Sequence, residues 1–121
     1  MQNQQATLAQ LLARSANADF GPFKNVYGRA LIVIIDVTAV AATPSVVFTI
    51  RGVDRLSGKK WDILASAAII GTGTTVLRVS PELTSAANLI AKDLAPEEFE
   101  VHAEHADADS ITYSIGAHYL V

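Results

Sequence analysis

The stretch that most constrains this chain runs from residue 29 to residue 54. Two β-branched, largely apolar runs flank a short Ala-Thr-Pro connection, a pattern that predicts an antiparallel strand pair. In the first run the apolar side chains fall on both parities, with Leu31, Val33 and Ile35 on one and Ile32 and Ile34 on the other. A strand with one solvated face alternates instead. We therefore expect this strand to be covered on both faces, the second by residues 1–25 or by a neighbouring subunit.

The remainder of the chain predicts an all-β fold. Short runs of strand-forming residues recur at roughly ten-residue spacing and are separated by Gly, Pro or Asp turns, which is typical of a sandwich. Residues 97–105 alternate cleanly, with Phe99, Val101 and Ala103 on the apolar side. Residues 82–94 instead carry apolar side chains at helical spacing. The prediction is an antiparallel β-sandwich of about six to eight strands with one short helical segment; a small barrel is the alternative.

The N-terminal 25 residues differ in texture from the rest. We divide the chain into an N-terminal arm or strand, residues 1–25, and a β-sandwich domain, residues 26–121. The arm packs either on its own sandwich or on a neighbouring subunit. If it reaches a neighbour, deleting it should leave a folded domain that assembles poorly; if it is an integral strand, deletion should unfold the chain. The candidate interface residues are Leu8, Leu11, Leu12, Phe20, Phe23, Ile32 and Ile34.

Composition excludes several classes of protein. The chain has 121 residues, enough for one domain, and no cysteine, which excludes disulfides and thiol catalysis. Its net charge is −3 and its nine Lys and Arg are scattered, so we expect no direct nucleic-acid binding. Charged residues make up 17%, against about 25% in a typical soluble domain, which indicates either an assembling surface or one rich in Ala and Thr. We see no signal peptide and no membrane-spanning run.

The candidate chemical motifs are weak. His102, Glu104 and His105 form H-x-E-H, but on a strand His105 points away from the other two, whereas the zinc-protease pattern needs a helix. Asp107 and Asp109 resemble part of a calcium loop that lacks its other ligands, so they are better explained as turn residues; a weak divalent-ion site with Glu104 is the alternative. Glycine-rich stretches lack the spacing of phosphate or dinucleotide loops. We therefore predict no catalytic, cofactor-binding or metal-binding residues.

An ordered series of motifs resembles a family of small tailed-bacteriophage virion proteins. The resemblance covers about residues 27–116, and residues 7–17 are similar to a segment that is extended in that family. Residues 94–98 are acidic where the family usually has basic residues, so a partner of that region would differ in charge. The motifs are RALIVIIDVT, TPSVVFTIRGVD, SGKKWDIL, GTTVLRVSPELTSAAN and LAPEEFEVHAEHADADSITYS.

This resemblance implies a structural virion component without enzymatic activity. We expect a capsid decoration (cement) protein, made in the host cytoplasm and placed on the capsid surface. Its partners would be the major capsid protein or other virion proteins and further copies of itself, a trimer being favoured. A tail, neck or baseplate protein is the alternative. A small enzyme and a ligand-binding β-sandwich are rivals from other classes; the latter needs clustered aromatics, whereas Tyr27, Trp61, Tyr113 and Tyr119 are dispersed.

Overall fold

The computed structural model describes residues 3–26 and 28–121, and all of its regular elements are β-strands. Two sheets form, a five-stranded sheet in the order β1-β9-β3-β6-β7 and a four-stranded sheet in the order β2-β8-β4-β5. All paired strands are antiparallel except β6 and β7. The predicted all-β class is confirmed; Met1, Gln2 and Tyr27 lie outside the described residues. The strands are β1 (Gln4–Arg14), β2 (Ala18–Lys24), β3 (Ala30–Val40), β4 (Val46–Val53), β5 (Lys60–Ala65), β6 (Gly73–Val79), β7 (Ile90–Ala91), β8 (Glu98–His105) and β9 (Ile111–Leu120).

One hydrophobic core lies between the two sheets. Alternate residues of β3, β4, β8 and β9 point into it and are almost fully buried, as their period-2 pattern predicts. Aromatic rings join the layers: Tyr113 of β9 meets Phe48 of β4 edge-on at 4.9 Å between ring centroids, and Tyr119 meets Phe99 of β8 at 6.0 Å. The arrangement is therefore sandwich-like, and its inner surface follows from the sequence.

The predicted pairing of β3 with β4 is wrong. β3 pairs with β6 and β9, whereas β4 pairs with β5 and β8 in the other sheet. The connection crosses between the layers through Ala42, whose φ is 58°, and the buried Pro44. The physical reason is that each strand carries a fully apolar face. Placing the strands in opposite sheets buries both faces against one another, whereas a hairpin would put both faces on the same side of one sheet.

The predicted short helix is also wrong. Residues 82–94 contain a tight turn, in which the amides of Leu89 and Ile90 donate to the carbonyl of Ala86 and Asn88 adopts a φ of 63°. A left-handed residue cannot continue an α-helix, and Leu83 and Leu89 are exposed, so the apolar side chains of the segment are not gathered on one buried face. The segment instead supplies β7 beside β6. No helix able to cross a bilayer occurs in the described part of the chain.

The N-terminal segment belongs to both sheets. β1 is an edge strand of the five-stranded sheet, next to β9, and β2 is an edge strand of the four-stranded sheet, next to β8. With these two strands and β7, the described residues contain nine strands, more than the six to eight predicted. Leu8 and Ala9 are buried in the core. Because β1 lies in the same sheet as β3, it does not cover the second face of β3. β2 lies in the opposite sheet, so the described part of the N-terminal segment does not cover that face.

Candidate protein-interaction surface

The outer face of the four-stranded sheet carries a network of paired charges. Glu100 points away from the core, yet only 2% of its side chain is exposed, because Lys60 and Arg51 lie over it. Lys60 Nζ is 2.8 Å from Glu100 Oε1, and Arg51 Nη1 is 3.6 Å from Glu100 Oε2. Arg51 Nε also donates to Asp62 at 2.9 Å. The hydrogen bond to Glu100 raises the pKa of Lys60.

A second cluster on the same face ties β2 to β8. His102 hydrogen-bonds through Nδ1 to Asp19 of β2 and through Nε2 to Glu104, the latter at 3.2 Å. The Asn17 amide donates to Glu104, while its carbonyl accepts from the His105 backbone N–H at 2.6 Å. Burial alone would lower the pKa of His102, but the two carboxylates outweigh it and raise that pKa. Hydrogen bonds to His102 lower the pKa values of both Asp19 and Glu104.

The carboxylates and histidines of these loops and strands do not form a metal site in the described residues, where no group of three or more such side chains is placed to hold an ion. Asp107 accepts the backbone N–H of Asp109 at 2.9 Å, and Asp109 accepts the backbone N–H of Thr43 at 3.1 Å. These are turn-stabilising contacts. The charged side chains of the two clusters on the outer face of the four-stranded sheet are therefore paired with one another, while Glu100 Oε2 is buried without a hydrogen-bond partner.

The outer face of the five-stranded sheet has a different chemistry. Residues that lie opposite one another across paired strands share a face, so the register defines three neighbouring rows that point away from the core. We call the surface formed by these rows the open face. Its rows are Arg78, Ile32 and His118; Val76, Ile34 and Gly116; and Thr74, Asp36 and Ser114, each in the order β6, β3, β9.

The open face is apolar at its centre and is not covered by any described element. Ile32, Ile34 and Val76 are each partly exposed, although they lie on the middle strands of the sheet. Asp36 accepts a hydrogen bond from Thr74 Oγ1 at 3.2 Å. Unlike the charges of the four-stranded sheet, neither Asp36 nor Arg78 forms an ion pair with any described residue. This surface thus combines apolar side chains with unpaired charges.

One end of the open face continues into a hollow of about 360 Å³. Ala30, Ile32, Leu83 and Leu120 line it together with polar neighbours, and an ion pair between Arg29 and Glu82, 3.5 Å apart, lies at its rim. The apolar surface therefore extends beyond the three rows towards the loop after β6.

The predicted interface residues separate into three groups. Leu8, Phe20 and Phe23 pack within the chain: Phe20 meets Tyr113 edge-on at 6.2 Å and Phe23 lies 5.8 Å from Phe99. Leu11 and Leu12 are more than half exposed on the edge strand β1. Ile32 and Ile34 lie on the open face.

Sequence reasoning missed Val76, Gly116 and His118, which complete the open face around Ile32 and Ile34. The alternation of β6 and β9 placed their side chains on an outer face, but only the register of the strands shows that they are neighbours of β3. No signal in a single sequence supplies that register.

Among the residues that the structure describes, the exposed aromatic side chains do not form a binding platform; Tyr27 lies outside them. Tyr113 and Tyr119 are buried, and Trp61, which is 47% exposed, lies over the backbone of Gly52 at one end of the sandwich. Leu56 and Leu94 are exposed beside the groove that Trp61 lines. A single tryptophan with aliphatic neighbours gives less support to a ligand-binding function than the open face gives to protein association.

Comparison with known proteins supports the fold. No protein-family model matches this sequence, and no match is found among curated proteins. The structure is similar to the crystal structure of the SPBc2 prophage-derived protein YomS, with a TM-score of 0.55 and 14% sequence identity. The similarity covers 96% of this chain and 91% of that one. The whole arrangement of two sheets is therefore shared with a prophage-encoded protein.

Proposed function

We propose that this protein is a non-enzymatic structural component of a tailed-phage virion, a capsid decoration protein that binds the lattice of the major capsid protein as a homo-oligomer. The observation that carries the proposal is the contrast between the two outer faces. One pairs its charges internally, while the other leaves Ile32, Ile34 and Val76 partly in water beside unpaired charges. The motif series and the likeness in fold to a prophage protein agree with this assignment.

Partly exposed apolar side chains in the middle of a sheet are typical of a protein interface. Exposed apolar patches rimmed by polar residues mark interaction sites, and interfaces bury an apolar centre within such a rim. A decoration protein acts by adding contacts that only the assembled lattice makes. Each contact stabilises the decorated lattice by mass action. Copies that are joined in a homo-oligomer bind the lattice more tightly than single copies do.

The proposal is tested by mixing the purified protein with undecorated capsids and measuring cosedimentation and resistance of the particles to heat. We expect saturable binding and added heat resistance. The substitution Ile34→Lys should weaken binding because it places a charge at the centre of the open face. Val47→Lys is the matched control, since Val47 is also β-branched, partly exposed and outward-facing, but on the four-stranded sheet.

One result would overturn the assignment to the capsid, and a second would overturn the role of the open face in binding. Binding to isolated tails with none to capsids would place the protein in the tail, neck or baseplate. Capsid binding that is weakened by Val47→Lys and left intact by Ile34→Lys would show that the charged face makes the contact. Both variants must first give the circular dichroism spectrum of the unmodified protein.

A further inference from the structure

We propose that the open face docks onto the open face of a second copy of this chain, related by a two-fold axis. The inference rests on the proposed function in one respect: it takes the open face as the surface that joins the copies of the homo-oligomer, so that Ile34→Lys would weaken capsid binding by separating the copies. The axis lies midway between the facing five-stranded sheets of the two copies. It runs perpendicular to β3 and passes over Ile34. The strands of the two copies then run antiparallel to one another.

The register places opposite charges at equal distances from that axis. Asp36 lies two residues from Ile34 in one direction, and the row of Arg78 and His118 lies two residues away in the other. Each two-residue step is about 6.8 Å along a strand. The two-fold axis therefore brings Asp36 over the partner's Ile32, between the partner's Arg78 and the partner's His118, and the same contact repeats on the other side.

The central row supplies apolar contact between these two charge pairs. Ile34 meets the partner's Ile34 and Val76 meets the partner's Val76, at the spacing of about 10 Å that packed sheets adopt. Gly116 has no side chain, and a Cβ placed there would have nothing nearer than the carbonyl of Ala6 at 3.8 Å. The third position of the row therefore leaves room for the approach. The face is self-complementary in charge.

A second copy explains the charges better than an unrelated partner does. An isologous contact must pair a surface with itself, so it requires opposite charges on either side of its axis, and Asp36 and Arg78 meet that requirement. Such a contact closes at two copies and does not propagate into filaments. The four-stranded sheet gives no comparable surface, because Arg51, Lys60, Asp62 and Glu100 already neutralise one another.

The test is sedimentation equilibrium of the full chain without capsids, at low ionic strength and over a wide range of concentration. We expect a monomer–dimer equilibrium. Asp36→Arg should raise the dissociation constant by at least about tenfold, because it sets like charges against Arg78. Arg78→Asp should do the same against Asp36. The double variant carrying both changes should recover most of the affinity. Lys92→Asp, a charge change at an exposed position off the open face, is the control and should have no effect.

Failure of this inference can be told apart from failure of the proposed function. A chain that stays monomeric at every concentration, or a dimer that neither single variant weakens, overturns the two-fold contact whatever the capsid experiment gives. Two weakened single variants without recovery in the double variant also overturn it, since the charges would then not meet across the axis. A dimer that behaves as expected but ignores capsids overturns the virion role and leaves the contact in place.

Discussion

Gly52 is required because the ring of Trp61 occupies the space where a side chain would be. A Cβ at position 52 would lie 2.1 Å from Trp61 Cζ2, far inside contact distance. We expect Gly52→Ala to displace the ring and to lower the free energy of unfolding by about 1–3 kcal/mol, the usual cost of overpacking. Trp61 is the only tryptophan, so its emission spectrum should shift, and chemical denaturation followed by that emission measures both effects.

Gly71 provides the control for this substitution. A Cβ at position 71 would meet nothing within 4 Å, so Gly71→Ala should change the unfolding free energy by no more than about 0.5 kcal/mol. Equal losses in the two variants would mean that the effect at Gly52 comes from backbone freedom and not from Trp61.

His102 should make stability depend on pH near neutrality. Its pKa in the folded chain is raised above the ordinary value of about 6.5, so the folded state binds the proton more tightly. The stabilisation is fully present below pH 6.5 and is lost as pH rises through the folded pKa. The lowered pKa values of Asp19 and Glu104 set the other limit, since their contribution is lost as pH falls through those values.

This dependence is measured as the denaturation midpoint at about pH 6 and about pH 8, on either side of the ordinary histidine pKa. Loss of stability between the two values should be smaller in His102→Gln than in the unmodified chain. His105→Gln should change the slope in the opposite direction, because burial lowers the pKa of His105. Parallel slopes for all three proteins would contradict the role of His102.

At the scale of elements, β1 and β2 are parts of the sandwich. β1 contributes Leu8 and Ala9 to the core, and β2 contributes Phe20 and Phe23 against the rings of Tyr113 and Phe99. Deleting residues 1–25 therefore exposes β9 and β8 as new sheet edges and opens the core. We expect loss of the cooperative unfolding transition, measured by circular dichroism. Deleting residues 1–3, which precede β1, should retain it; a folded chain after the longer deletion would restore the arm hypothesis.

The sequence predicted the faces of the strands but not their partners. Period-2 alternation is a local property, so the buried side of β8, with Phe99, Val101 and Ala103, was correctly assigned. Pairing depends on contacts between distant segments. The short connection between β3 and β4 predicted a hairpin, whereas in the structure the chain crosses there from one sheet to the other. The apolar residues within residues 82–94 recur at helical spacing along the sequence, but the segment does not form a helix. The segment forms a tight turn at Asn88, whose φ is 63°, and leaves Leu83 and Leu89 exposed.

The candidate surface was predicted in part for the same reason. Ile32 and Ile34 stood out because their parity matched an apolar run on both faces of β3. Val76 and Gly116 join them only through the register of β6 and β9 with β3, which no local pattern encodes. Phe20 and Phe23 looked like interface residues because they flank Gly-Pro, yet the antiparallel register of β2 with β8 brings them onto the core.

At the scale of the whole molecule, substitutions on the two outer faces should differ in how they change the dependence of the melting temperature on protein concentration. A dimer formed through the open face unfolds at a temperature that rises with concentration, because dissociation accompanies unfolding. Calorimetry at increasing concentrations should show this rise for the unmodified chain and for Val47→Lys. It should be absent for Ile34→Lys, whose melting temperature should be independent of concentration; a rise in that variant would locate the contact elsewhere.

β9 lies inside the five-stranded sheet and not at its edge, and this position has a consequence for how the protein is made. β9 lies between β1 and β3, with Gln4 opposite Tyr119 and Ile34 opposite Gly116. The five-stranded sheet therefore pairs the first of the nine described strands with the ninth. Pairings so distant in sequence form slowly. On the ribosome, β1 and β3 must wait without their shared neighbour, and the part of the open face that β9 supplies is absent until β9 has been translated. Nascent chains crowded on one messenger RNA therefore present an incomplete form of the surface through which we propose that finished copies associate.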